Sequence, residues 1–202
     1  FNSKFPLQKK GEKYLSTLTP IFVAKYNPSS NKNINDEKRL VDYSNIYSID
    51  RINSSEIIEG GESITIGNEF KLFNNELSEI FGLNLAASFR ADENLDLPKS
   101  SFIGQKTSNI VGQSKLKLNE FIDLKYDFLS DNNLGEFHYH NLNSEIKINN
   151  FVSTFEFIEE ADIIGNTHFI ANETTLKFDD TKNLTFRTRK NKKTDLTEYY
   201  NL

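Results

Sequence analysis

Residues 122–128 read Ile122-Asp123-Leu124-Lys125-Tyr126-Asp127-Phe128. Apolar or aromatic side chains alternate with charges along the whole run. Successive side chains of an extended strand point to opposite faces, so this spacing predicts a strand with one apolar and one charged face. The same period recurs on both sides. Phe81, Leu83, Leu85, Ala87 and Phe89 alternate with Gly82, Asn84, Ala86, Ser88 and Arg90. Ile64, Ile66, Phe70 and Leu72 oppose Thr65, Gly67, Glu69 and Lys71, and Leu184 and Phe186 oppose Thr185, Arg187 and Arg189. No long segment carries apolar residues three and four apart, as a helix would need.

Extended over the chain, this reading gives about eleven strands. They lie near 14–26, 42–50, 62–73, 80–90, 108–118, 121–130, 135–148, 151–160, 167–178, 183–190 and 194–202. Tight joins fall at Asn119-Glu120, Asn149-Asn150, Asp179 to Asn183 and Asn191 to Thr194. Asn and Asp tolerate the left-handed backbone that such turns use. Two joins, Asn27 to Val41 and Ala91 to Thr107, are longer and polar. With no fixed repeat and no βαβ pattern, the fold class expected is all-β, an antiparallel up-and-down meander with almost no helix.

Composition narrows the solvent. The 202 residues hold 24 Lys+Arg against 29 Asp+Glu, a net charge of −5, which argues against a general nucleic-acid binder. Cys is absent, excluding disulfides, thiolate metal sites and Cys nucleophiles within these residues. Met is also absent, so Phe1 is expected to follow processing or to lie inside a longer chain. Mean hydropathy is −0.56, yet 17 Phe and 8 Tyr are too many for a disordered chain. The strands are long, about 9–14 residues against the 5–6 usual in soluble sheets, and membrane barrels use about 9–11. Periodicity leaves three architectures open: a transmembrane barrel, a soluble sandwich or barrel, and a β-solenoid.

Candidate chemistry is sparse. His138 and His140 share one side of a predicted strand, a spacing that can hold a metal, but a polar rim explains them as well. Glu159-Glu160 and Asp179-Asp180 are neighbours pointing opposite ways, poor as catalytic pairs and suited to solvated strand ends. Gly60-Gly61 lacks the Lys and helix of a phosphate loop. No Ser lies in a Gly-x-Ser-x-Gly context. The sequons at Asn53, Asn172 and Asn183 carry little weight. No catalytic residue, cofactor or metal site is therefore expected. The charged positions of most interest are Asp123, Lys125, Asp127, Glu173, Lys177, Arg187 and Arg189. They form either a solvated sheet face or a hydrophilic lumen wall.

Two segments resemble a known family. Residues 47–67 carry Asp50-Arg51, then Glu59-Gly60-Gly61, then a strand reaching Gly67. Residues 104–118 carry Ser108-Asn109-Ile110-Val111-Gly112. Both resemble the barrel of the lipopolysaccharide (LPS)-assembly protein family LptD, in which the second motif usually has an acid where Asn109 stands. Thr19-Pro20 before a strand, and the hairpin from Leu184 to Leu202, are similar to further segments of that family. Ser54-Ser55-Glu56 departs from its more usual Asp-Arg pair. The resemblance implies that residues 1–202 are part of a C-terminal barrel domain. The N-terminal jelly roll and closing strands would lie outside the chain, and the lateral exit for lipid between first and last strands with them. It implies an outer-membrane location and a non-enzymatic task, moving LPS to the outer leaflet. Implied partners are LPS, a plug lipoprotein and periplasmic bridge proteins reached through the jelly roll. Another outer-membrane barrel, such as a porin or receptor-type transporter, or a soluble β-rich binding module are the alternatives. In a barrel, Leu83, Leu85, Phe89, Ile122, Leu124, Phe128, Leu184 and Phe186 should share the convex face. Asp123, Lys125, Asp127, Arg187 and Arg189 should share the concave one.

Overall fold

The computed structural model describes residues 1–30, 32–52, 58–161, 163–179 and 181–202. Asn53, Ser54-Ser55-Glu56 and Asp180 lie outside the described residues. Among the described residues, twelve strands make one antiparallel sheet. They are β1 (Asn2–Lys4), β2 (Leu7–Lys10), β3 (Leu15–Asn27), β4 (Gly61–Phe73), β5 (Glu79–Arg90), β6 (Ile110–Lys117), β7 (Ile122–Ser130), β8 (Phe137–Ile148), β9 (Phe151–Glu160), β10 (His168–Lys177), β11 (Asn183–Asn191) and β12 (Leu196–Asn201). From β3 to β12 each strand pairs with the next, the meander that the alternation predicts. The sheet does not close on itself. A 3-10 turn, Lys99–Ser101, interrupts the loop 91–109.

Two expectations are corrected. Residues 42–50 form turns, not a strand. Asp42 bends the chain there: its carboxylate accepts the Ser44 N–H at 2.8 Å, and its carbonyl accepts the Ile46 N–H at 3.0 Å. The long connection therefore runs from 28 to 60. Two short strands also precede the first one expected. β1 and β2 both lie along β3, with Ser3 opposite Phe22 and Gln8 opposite Thr17 in one continuous register. They form one strand broken at Phe5-Pro6, because Pro has no N–H to give the ladder. Here alone the pairing departs from sequential order.

Directly opposed residues of an antiparallel pair share a face, so the register sorts the sheet. Leu85, Gly112, Phe128 and His140 make one such row, and Phe81, Leu116, Leu124, Ser144 and Phe155 another. Leu83, Leu85, Phe89, Ile122, Leu124, Phe128, Leu184 and Phe186 fall on this same apolar face. Much of it is bare: Ile64, Ile66, Leu85, Phe89, Leu116, Phe155, Ile170, Leu184 and Phe186 are exposed. The opposite, polar face is covered at one end. There Ile34, Val41, Ile46 and Ile52, with Leu97, Ile103 and Ile163, bury a cluster against Ala86, Val111, Leu129 and Tyr139. This inverts a soluble sheet, which buries its apolar face.

The longest connections gather at one end. Loops 28–60, 91–109, 131–136 and 161–167 and the turn 192–195 lie at one end, and turns 74–78, 118–121, 149–150 and 178–182 at the other. The rows also climb across the sheet. The row starting at Thr19, mid-strand in β3, runs through Glu69, Asn84, Gln113, Asp127, Asn141 and Ile158 to Phe169 at the head of β10. This stagger is what tilted strands require when a sheet curls into a barrel.

Candidate functional site

The polar face has a covered part and an open part. In the covered part Arg51, 0 % exposed, enters from the loop 28–60 and meets the ends of β4 and β5. Its Nε donates to Glu59 Oε2 at 2.8 Å, Nη1 to Thr65 Oγ1 at 3.1 Å and Ser88 Oγ at 2.7 Å, and Nη2 to Ser63 Oγ at 2.9 Å and to Glu59 Oε1. Arg90 closes on Glu59 from the other side through Nη2. Its Nε donates to the Ile103 carbonyl at 2.8 Å and its Nη1 to the Gly60 carbonyl at 3.1 Å. A buried carboxylate between two guanidinium groups is tolerable only because nearly every donor finds an acceptor. Small hydroxyl residues at Ser63, Thr65 and Ser88 leave the space that the Arg51 fork fills.

The motif residues thus have a structural account. Asp50 accepts the Ile52 N–H at 3.1 Å, shaping the turn behind Arg51. Gly61 opens β4 at φ 83°, a left-handed backbone suited to Gly. At Gly67 a Cβ would lie 1.8 Å from the Tyr47 hydroxyl, so the missing side chain lets that ring lie against the sheet. Beside it, the Tyr43 hydroxyl donates to Glu69 at 3.1 Å. Burial pushes the Tyr47 hydroxyl up to about 12, so it stays protonated in ordinary conditions. Ser108 Oγ accepts the Ser88 N–H at 2.8 Å and pins loop 91–109 along β5. Val111 is buried beneath the loops, while Ile110 and Gly112 belong to the apolar face. There a Gly112 Cβ would lie 2.2 Å from the Phe128 ring, which covers the glycine from the next strand.

The open part is concave and charged. A depression of about 710 Å³ is lined by Lys115, Asp123, Lys125, Asn143, Glu145 and Glu156, and also by atoms of Leu116, Leu124 and Phe155 from the apolar row. Asp123, Lys125, Asp127, Glu173, Lys177, Arg187 and Arg189 all fall on this face by register. Most pair locally. Lys125 Nζ lies 2.7 Å from Asp127, which also accepts from Gln113 at 2.8 Å. Arg187 Nε lies 2.8 Å from Glu173, and Arg189 lies 2.7 Å from Glu198 with its guanidinium 3.8 Å above Phe169. The structure does not gather them into one cluster; five of the seven sit in separate local ion pairs.

Other sequence candidates resolve differently. His138 stacks on Phe102 at 4.9 Å, and His140 Nδ1 is 2.6 Å from the Tyr126 hydroxyl, so each ring has its own partner. Glu160 is not a solvated strand end. It is buried, and its carboxylate accepts the backbone N–H groups of Ile163, Ile164, Gly165 and Thr167 at 2.7–3.0 Å. Arg90 escaped the sequence reading. Its signal was the charge ending the polar phase of the 81–90 alternation, but its partner stands 31 residues away.

A bare apolar face, a concave face of paired charges, staggered antiparallel strands and the longest loops gathered at one end define the wall of an outer-membrane β-barrel. The model of the family LptD, LPS transport system D, matches residues 1–180. The chain belongs to this family, which serves LPS transport in the outer membrane and is a family of transport and assembly proteins, not of enzymes. Comparison with the curated proteins gives no match.

Proposed function

We propose that the chain is part of the C-terminal barrel of an outer-membrane protein that carries LPS to the outer leaflet. The apolar face meets lipid, and the polar face lines the lumen. The observation that carries this reading is the concave wall of ion pairs opposite a bare apolar face. Pairs such as Lys125–Asp127 and Arg187–Glu173 present charge without a single-sign field. Such a wall hydrates a phosphorylated saccharide and releases it, whereas a purely basic wall would hold the phosphates. Asp123, Lys125, Asp127, Glu173, Lys177, Arg187 and Arg189 are the residues assigned to it. The open lumen beside them would receive the plug lipoprotein, and a jelly-roll domain of the same protein would meet the periplasmic bridge.

The test is depletion of the full-length protein in its own cells, following newly made LPS and the uptake of small nutrients separately. Surface arrival of LPS should stop while uptake at first continues. Normal LPS display with lost uptake would instead place the protein among the porins or receptors.

A further inference from the structure

The two long loops are bonded into one unit. Ile34 N–H donates to the Asp96 carbonyl at 2.8 Å, Lys99 N–H to the Asn35 carbonyl at 3.1 Å, and Arg39 N–H to Ser100 Oγ at 3.0 Å. The unit rests on a strip of apolar side chains on the polar face: Ala86, Val111, Leu129 and Tyr139, from four neighbouring strands. Its charged attachment converges on one group. Arg51 from loop 28–60 and Arg90 from β5 both close on Glu59, and Arg90 also reaches the Ile103 carbonyl of loop 91–109. Three buried side-chain atoms at this end of the polar face, Tyr47 Oη, Asn84 Oδ1 and Asn109 Nδ2, have no hydrogen-bond partner. Buried polar atoms are normally paired, and unpaired ones favour a state in which water reaches them.

We infer that residues 32–52 and 91–105 form a detachable lid over the polar face, held shut by the Glu59 carboxylate between Arg51 and Arg90, while 106–109 stay bonded along β5. Lifting it uncovers the apolar strip and the hydroxyls of Thr65 and Ser88, which together suit an amphiphile better than the charged wall does. The carboxylate is the weak point. Without it, two guanidinium groups are buried against each other, and only solvent relieves them. The inference rests on contacts within the chain and holds whatever the barrel carries.

The experiment uses the purified full-length protein in detergent with Val111→Cys as reporter, since Val111 is 1 % exposed beneath the lid. A water-soluble maleimide is added, and label is counted only in the compact, heat-modifiable band, which isolates folded barrel. The reporter should label slowly on the native background, and about tenfold faster or more with Glu59→Gln, because labelling follows the population of the open state. If Glu59→Gln yields no compact band, Arg90→Lys replaces it. That variant keeps the charge but loses the fork that spans Glu59, Gly60 and Ile103, and it should also speed labelling. Equal rates in native and latch variants, fast or slow, overturn the inference.

Discussion

Leu124 and Lys125 are neighbours with opposite surroundings. Leu124 lies on the apolar face in a row with Phe81, Leu116 and Phe155, while Lys125 reaches across to Asp127. In the full barrel, Leu124→Arg should destabilise by roughly 2–4 kcal/mol if the residue sits near mid-membrane. Lys125→Leu should cost far less, since its ion pair borders a wet concavity. Leu124→Ala should fall short of the about 2–5 kcal/mol typical of a packed core, because fluid lipid leaves no rigid cavity. Equilibrium unfolding in lipid vesicles measures all three; a Lys125→Leu cost matching that of Leu124→Arg would reverse the assignment of faces. At this scale the sequence was informative wherever a residue's role follows from its own parity, as at Leu124. It was silent at Arg90, whose role depends on a carboxylate in another loop.

Among the elements, strands of strong alternation were legible because burial on one side repeats every second residue. The segment 42–50 misled for a physical reason. Tyr43, Tyr47 and Ile49 have the spacing of a strand, but Asp42 and Asn45 bind neighbouring backbone and curl the chain instead. The connection 161–167 is organised by its own anchor. Glu160 gathers four N–H groups that have no strand to join. Glu160→Ala should leave those donors to water and loosen the loop while β9 and β10 stay paired. Hydrogen exchange should then quicken at Gly165 and Thr167 but not at Phe155 or Asn172. Unchanged exchange at Gly165 and Thr167 would mean that the loop holds itself.

For the whole molecule, orientation follows from the segregation of the connections. Outer-membrane barrels place short turns in the periplasm and longer loops outside. The end bearing 28–60, 91–109 and 161–167 is therefore assigned to the cell surface. An epitope inserted in the turn 192–195, at that same end, should be reached by antibody on intact cells. One inserted between Asn149 and Asn150 should be reached only after the outer membrane is opened. The reverse pattern would invert the barrel. The sequence foretold the meander, but not that its longer loops fold back onto the polar face. No periodic signal records a loop that packs against a sheet rather than joining it.

The Glu59 contacts also bear on the order of assembly. Arg51 and Glu59 are made before β4, whereas Arg90 is the last residue of β5. Until that hairpin has zipped to its end, the carboxylate has only half of its cationic cage. Local hairpins close early and distant contacts late. Closure at Glu59 thus comes after β4 and β5 are in register, and a hairpin slipped by one residue would turn Arg90 to the apolar face. The ion cluster is in this sense a proofreading step: it forms only on a correctly registered pair of strands.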